Sequence, residues 1–248
     1  MNTPLVPVGL ERRDFLKSAA ALGLVAATSL RAASTPSAVD ELVRELVRIN
    51  DAGIPALLAK QERRAGHRWL GGQVNEYGLH VPNATAGFVS ALACSADAST
   101  SRYHGKPDLD EPLRLAAHYL LAAQHDDGTV DYYATNFRSP PDMAFILEVL
   151  CPAYVLLRRS ERAAVRAVGD EIGRFIVRGA DGLVTGGVHT PNHRWVVCAA
   201  LASAHALFPQ PRYVARIDQW LAETVDLDPD GQYTEKSTTV YSPIVDRA

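Results

Sequence analysis

The sequence predicts an all-α protein made of repeated helical hairpins, and three observations carry that expectation. Apolar residues recur at three- and four-residue spacing along most of the chain, the period of one helix face. Glycine-containing polar loops interrupt this pattern at intervals near fifty residues, the spacing of units with two helices each. Strand-like alternation is sparse and limited to short pieces at Val130-Asp131-Tyr132-Tyr133 and Gln232-Tyr233-Thr234.

The first helix spans about 39–64, marked by Val39, Leu42, Val43, Leu46, Val47 and Ile49, then Leu57 and Leu58. Gly53 and Pro55 are expected to kink or divide it. Further helical stretches cover about 83–96, 110–124, 140–158, 160–178, 192–207, 211–224 and 238 onward. The loops repeat as Gly71-Gly72-Gln73-Val74, Asp127-Gly128-Thr129-Val130, Asp181-Gly182-Leu183-Val184 and Asp230-Gly231-Gln232-Tyr233. Glycine is expected to supply the left-handed cap that ends the first helix of each pair. The longer loop then falls on the same face every time. Loops of Tyr, His, Asn and Trp on one face favour a closed ring, the α/α toroid, over an open solenoid. Four hairpins are visible where a full toroid uses five to seven, and the chain stops at Asp246-Arg247-Ala248 within a helical pattern. Residues 34–248 are therefore expected to be a partial toroid domain.

Residues 1–33 read as an export signal. Glu11-Arg12-Arg13-Asp14-Phe15-Leu16-Lys17 precedes an apolar run from Ala19 to Leu30, followed by small residues at Ala32-Ala33-Ser34. The pattern resembles a twin-arginine signal, with Glu11 where Ser or Thr is usual. It implies the twin-arginine export machinery as a partner and a bacterial periplasmic or secreted location. The run is too short to span a bilayer comfortably, so no stable membrane insertion is expected after processing.

Hydrophobic residues make up 47% of the 248 and charged residues 21%, the balance of a folded globular chain. Residues 1–33 hold four basic and two acidic groups, so cleavage there moves the net charge from −3 to −5. A mildly acidic surface without a Lys/Arg block excludes nucleic acid as an expected partner. Cys94, Cys151 and Cys198 lie far apart in apolar stretches, read as small buried hydrophobes, with a disulfide between two of them left open. No dinucleotide, P-loop, zincin or EF-hand motif occurs, so no cofactor and no metal is expected. Gly-x-Ser-x-Gly is also missing.

The chemistry concentrates in two loops, Gly186-Gly187-Val188-His189-Thr190-Pro191-Asn192-His193-Arg194-Trp195 and the segment from Asp230 to Tyr241. An amide, an imidazole and a phenol at the mouths of helical hairpins suit proton abstraction beside a carboxylate. Asn192 and protonated His193 can hydrogen-bond the carboxylate while enolate-like charge develops, and Tyr241 can serve as base and acid in turn. Arg194 and Arg138 are candidates for holding acidic sugar groups. Tyr132, Tyr133 and Asn136 form the expected sugar platform of the second loop. Trp69 or Tyr77 of the first loop can stack on a sugar face, and His189 and Trp195 are placed at the cleft. Asn192 is also well placed as a plain helix N-cap.

Together these loops resemble the heparinase II/III-like polysaccharide lyases and their alginate-lyase relatives. In that family an Asn-His pair opens one inner helix and Asp-Gly-x-Tyr-x-Glu-Gly-Ser-x-x-Tyr opens the next. The resemblance places Asn192 and His193 at the Asn-His positions, Tyr241 at the catalytic tyrosine, and Tyr233 and Glu235 at structural positions. Lys236 replaces the usual glycine, one extra residue precedes Tyr241, and Ser242-Pro243 follows where a histidine is common. Nothing in the chain corresponds to the family's C-terminal β-sandwich. The resemblance covers roughly 38–248, with its motifs in 181–248, and implies β-elimination on a uronic-acid polysaccharide without a metal.

Two other readings stand beside it. A glycoside hydrolase on the same toroid would need two carboxylates. Asp126, Asp127, Asp142, Asp181 and Glu235 are available, with Asp142 the best isolated one. A non-catalytic carbohydrate-binding toroid fragment is the other.

Overall fold

The computed structural model describes residues 37–133, 136–188 and 190–223, with the isolated Pro229. The signal segment, His189, Tyr233, Glu235 and Tyr241 lie outside the described residues. Among the described residues there are seven α-helices and no strand: α1 (Ala38–Ala59), α2 (Pro82–Asp97), α3 (Asp110–Ala123), α4 (Pro140–Arg159), α5 (Ala163–Thr185), α6 (Pro191–Leu207) and α7 (Pro211–Leu221). A single 3-10 turn, Pro107–Leu109, leads into α3. The all-α expectation therefore holds.

Contacts divide the chain between Glu41 and Leu42. Of the first unit only Ser37 to Glu41 are described. There the Ser37 hydroxyl accepts the Asp40 amide at 3.1 Å while Asp40 Oδ2 accepts the Ser37 amide at 2.9 Å, a reciprocal cap that starts α1. The second unit begins inside α1 and holds the other described helices.

Helices α2, α4 and α6 pack side by side as one row, α2 on α4 and α4 on α6. Helices α3, α5 and α7 form a second row in the same way, and each hairpin joins the rows. The core lies between them. It contains Phe88 and Leu92, Leu113 and Leu120, Met143, Leu147 and Leu150, Ile172, Phe175 and Ile176, Val196 and Leu201, and Tyr213, each with essentially no exposed surface. Apolar residues at helical spacing meet here because each helix buries a face against its row neighbours, two for α4 and α5, and against its hairpin partner.

Every helix of the first row begins with proline, at Pro82, Pro140 and Pro191, after an extended residue (Val81, Ser139, Thr190). Proline fits a first helical position because its fixed φ suits the helix and it has no N–H to leave unpaired. These starts place the loops entering α2 and α4 beside each other.

Two sequence expectations need correction. Helix α1 is not divided at Gly53 and Pro55 but is a single helix that ends at Ala59 rather than near 64. From Leu42 to Ile49 its apolar stripe faces solvent, with Leu42, Val43, Leu46 and Ile49 at 50–58% exposure. Helix α5 does not end near 178 but continues to Thr185, so Asp181-Gly182 is helix and not a loop. Gly182 is buried where α5 meets the second loop, and a Cβ there would lie 2.5 Å from the Asp127 carbonyl oxygen. Its smallness serves close packing rather than a cap. Cys94 is exposed while Cys151 and Cys198 are buried, and all three thiols are free. Burial pushes the Cys151 thiol up to about 12 and Cys198 to about 11, so neither is a thiolate at neutral pH.

One device recurs. After α1, Gln61 Nε2 donates to the Gly71 carbonyl at 3.2 Å and to the Pro112 carbonyl of α3 at 2.9 Å. After α3, Gln124 Nε2 donates to the Gly128 carbonyl at 3.1 Å and to the Phe175 carbonyl of α5 at 3.1 Å. Both glutamines are buried, and both glycines have left-handed φ, +92° and +85°. A buried amide thus ties each loop to the next second-row helix. The true repeat glycine of the first loop is Gly71 rather than Gly72.

Candidate functional site

The first loop is held by backbone pairing. The Glu62 amide donates to the Gly72 carbonyl at 2.9 Å, the Gly71 amide to the Glu62 carbonyl at 2.8 Å, and Val74 bridges His80. Asn75 Oδ1 accepts the amides of Tyr77 and Leu79, both at 3.0 Å, in an Asx turn that leaves Tyr77 69% exposed. In the second loop the Gly128 amide donates to the His125 carbonyl at 3.0 Å, and Val130 bridges Ser139. The Tyr132 amide donates to the Asn136 carbonyl at 2.7 Å.

A cleft of about 410 Å³ opens between these two loops, a volume typical of small-ligand sites. Its aromatic wall is Trp69, Tyr119, Tyr132, Tyr133 and Phe137, and Arg68, His80, His125 and Asp131 supply the charged and ionisable groups. Trp69 meets Tyr119 edge-on at 6.1 Å, and the Arg68 guanidinium lies 4.4 Å from the Trp69 ring. The Tyr132 and Tyr133 rings are 4.5 Å apart, and Tyr77 lies 5.7 Å from Tyr133. The hydrogen bond with Tyr132, aided by burial, pushes the Tyr133 phenol up to about 12. At neutral pH it stays a neutral donor, the form that bonds a sugar hydroxyl or carboxylate.

The expected sites Trp69, Tyr132, Tyr133 and Tyr77 therefore come together. Arg68, His80, His125, Asp131 and Phe137 belong with them and were not singled out from sequence. The signal was weak because a histidine's role depends on its partner. His125 Nε2 lies 2.8 Å from Asp131 Oδ1, a pairing made across the turn.

Asn136 and Arg138 serve the loop itself. Asn136 Nδ2 lies 3.5 Å from Asp142 Oδ2. The Arg138 amide donates to Asp131 Oδ1 at 2.8 Å and its guanidinium to Asp127 Oδ2 at 2.7 Å. Arg138 holds a φ of +50°, uncommon for a residue with a side chain and often found near functional sites. Asp127 is held down at about 2, first by the Thr129 hydroxyl at 2.5 Å, then by the Thr129 amide and Arg138. Its depressed value contributes stability that is complete above the ordinary carboxylate range and lost as pH falls toward 2. Asp127→Asn is therefore expected to lower the melting temperature at pH 6, with the gap from wild type closing as pH approaches 2. A gap that is constant with pH in thermal melts would contradict this account.

The third sequence-derived group sits elsewhere. The extended residue before α6 is Thr190, so Asn192 is the second helical residue and not the N-cap. Asn192 is buried, and the Thr190 hydroxyl donates to its Oδ1, which turns Nδ2 away from Thr190. His193 is half-buried and edge-on to Phe145 of α4 at 6.4 Å. Arg194 is buried and its Nη1 pairs with Glu223 Oε2 at 2.9 Å, a tie between α6 and the residues after α7. Trp195 is half-buried, with the Arg194 guanidinium 5.7 Å from its ring. None of residues 190–195 lines the aromatic cleft.

Of the carboxylates that a hydrolase would use, Asp127, Asp142 and Asp181 are engaged in local structure, and Glu235 lies outside the described residues. Asp142 forms the reciprocal cap of α4, its amide donating to Ser139 Oγ at 3.3 Å while the Ser139 hydroxyl donates to Asp142 Oδ2. Asp181 accepts the Tyr213 hydroxyl at 2.7 Å and pairs with Arg212.

Fold and site define a class: an all-α protein of packed helical hairpins, with an aromatic and ionisable cleft on the loops that enter α2 and α4. No family model, no curated protein and no solved structure matches the chain.

Proposed function

We propose that this protein is an exported α/α toroid polysaccharide lyase that cleaves a uronic-acid polysaccharide by β-elimination. The observation that carries the proposal is the aromatic cleft built by Trp69, Tyr132 and Tyr133. Flat, closely spaced aromatic rings carrying phenol hydroxyls suit the apolar faces and hydroxyl edges of sugars. The packing of α2 on α4 and α4 on α6 as one row supports the toroid reading, since the inner helices of a toroid pack side by side around its cavity.

The proton to be removed lies α to the sugar carboxylate, and it is weakly acidic while that carboxylate is charged. The resemblance assigns the Asn192 amide and the His193 imidazolium, at the start of α6 and outside the cleft wall, to bond the carboxylate and stabilise the enolate-like charge. Tyr241, as phenolate, takes the proton and returns it to the departing glycosidic oxygen. A double bond forms in the uronate ring as the glycosidic C–O bond breaks. The commitment of Asp142 and Asp181 to caps and ion pairs supports elimination over two-carboxylate hydrolysis.

The test is ultraviolet absorbance of the unsaturated uronate during incubation with alginate, hyaluronan, chondroitin, heparin and glucuronan. Wild type should raise it on one of them. Tyr241→Phe should lower kcat roughly a thousandfold, the scale of a lost general acid–base group. Trp69→Ala should chiefly raise KM. A flat trace on every polymer from folded protein, or full activity in Tyr241→Phe, would overturn the proposal.

A further inference from the structure

We propose that Glu62, His67 and His80 form a binding site for a divalent transition-metal ion of the zinc class. The site borders the aromatic cleft through His80, and the inference does not depend on the elimination chemistry above.

The three donors come from separate points of the first loop, each fixed by its backbone. Glu62 follows the buried Gln61 and is paired on both sides, to Gly72 and Gly71. His67 closes a turn, its amide donating to the Arg64 carbonyl at 3.1 Å and its carbonyl accepting the Leu70 amide at 3.1 Å. His80 bridges Val74 just before α2. Fixed backbones hold ligands in place before an ion arrives.

The geometry matches the ion. Glu62 Oε2 lies 3.5 Å from His67 Nδ1 and 3.5 Å from His80 Nε2. One ligand atom from each residue can be chosen so that all three lie within 4.8 Å of one another. Zinc bound tetrahedrally at about 2.0–2.2 Å sets its ligand atoms roughly 3.3–3.6 Å apart. Two edges of the triangle already have that length. The imidazole rings are tilted by 47° with centroids 5.4 Å apart, so they are not stacked on each other. The side chains are sheltered, Glu62 at 7%, His80 at 14% and His67 at 29% exposure. Two imidazoles and one carboxylate are a donor set that zinc accepts, leaving one position for water or an anionic oxygen.

Two contacts compete with the ion. Arg64 bonds Glu62 through Nη2 at 2.5 Å and Nε at 2.9 Å, and the Trp69 amide donates to His67 Nδ1 at 3.2 Å. Arg64 is 74% exposed and can swing into solvent without opening the core. Releasing the Trp69 amide links the ion to the cleft wall, because Trp69 and His80 both line it.

The experiment is zinc titration of the full chain, read by bound metal after gel filtration and by tryptophan fluorescence, with cobalt substitution for spectroscopy. Wild type should retain one zinc per chain, and cobalt should give the visible bands of a tetrahedral nitrogen–oxygen site. His67→Gln and His80→Gln should each weaken binding roughly a hundredfold while remaining folded by circular dichroism. Arg64→Ala should tighten binding, which loss of a purely structural ion pair would not do. Substoichiometric zinc in wild type would overturn the proposal. So would equal retention in both histidine variants, or cobalt–thiolate charge-transfer bands that place the ion at a cysteine.

Discussion

Gly128→Ala is expected to destabilise the protein by about 4 kcal/mol or more, enough to leave most of a marginal domain unfolded. Two separable terms combine. The φ of +85° costs a side-chain-bearing residue roughly 1–2 kcal/mol. The added Cβ would also stand 2.0 Å from the Arg178 carbonyl oxygen, a backbone atom in the middle of α5 that cannot swing aside. Neighbouring glycines separate the terms. Gly66 has a φ of +77° with open space around its Cβ position, so Gly66→Ala should show the conformational cost alone, about 1 kcal/mol. Gly182→Ala keeps helical backbone but meets the Asp127 carbonyl at 2.5 Å, so it should show the steric cost alone. Urea denaturation of the three variants checks the partition. A Gly128→Ala protein no less stable than Gly66→Ala would show that the second loop can retreat from α5.

Asp51→Ala is the second large effect, expected near 3 kcal/mol. Asp51 is 7% exposed on α1 and joins that helix to α2 and the following turn. Its Oδ1 accepts the hydroxyls of Ser95 at 2.6 Å and Ser101 at 2.8 Å, and its Oδ2 accepts the Arg102 amide at 2.8 Å. Burial pushes the carboxyl up, yet the Ser95 hydroxyl, the Arg102 amide and the Ser101 hydroxyl together outweigh it and hold it below the usual carboxylate range. Truncation would leave the fully buried Ser95 hydroxyl without its carboxylate acceptor and release the Arg102 amide. Asp51→Asn keeps one acceptor and should cost about half as much. Chemical denaturation of both variants gives the comparison, and an Asp51→Ala loss below about 1 kcal/mol would mean that water replaces the carboxylate.

Most helix positions were legible because local signals agreed with packing. Proline at Pro82, Pro140, Pro191 and Pro211 starts four helices, and the apolar period carries each one to near its observed end. The end of α5 was not legible. Asp181-Gly182 has the composition of a turn, but Asp181 faces Arg212 and Tyr213, and Gly182 faces the second loop. Contacts made with residues far along the chain decided its conformation. The same division runs through the site. The aromatic residues of the loops, Trp69, Tyr77, Tyr132 and Tyr133, could be picked out by type alone. Arg194 could not be separated from a ligand-binding arginine until Glu223, 29 residues later, was seen to neutralise it. Glu62, His67 and His80 follow no familiar metal-ligand spacing, and only the folding of the loop brings them together. The fate of Tyr241 and His189 lies outside the described residues.

The two buried glutamines have a consequence for how such a chain can diversify. Gln61 reaches a glycine ten residues on, while Gln124 reaches one only four residues on. Each nonetheless grips the following second-row helix in the same manner. The stretch between glutamine and glycine can therefore lengthen or shorten while its anchor points stay fixed. In the first loop that added length carries Arg64, His67, Arg68 and Trp69. Heritable variation in ligand preference would be confined to a cassette whose ends are already secured, and new specificities could be sampled there without the helices having to be reinvented.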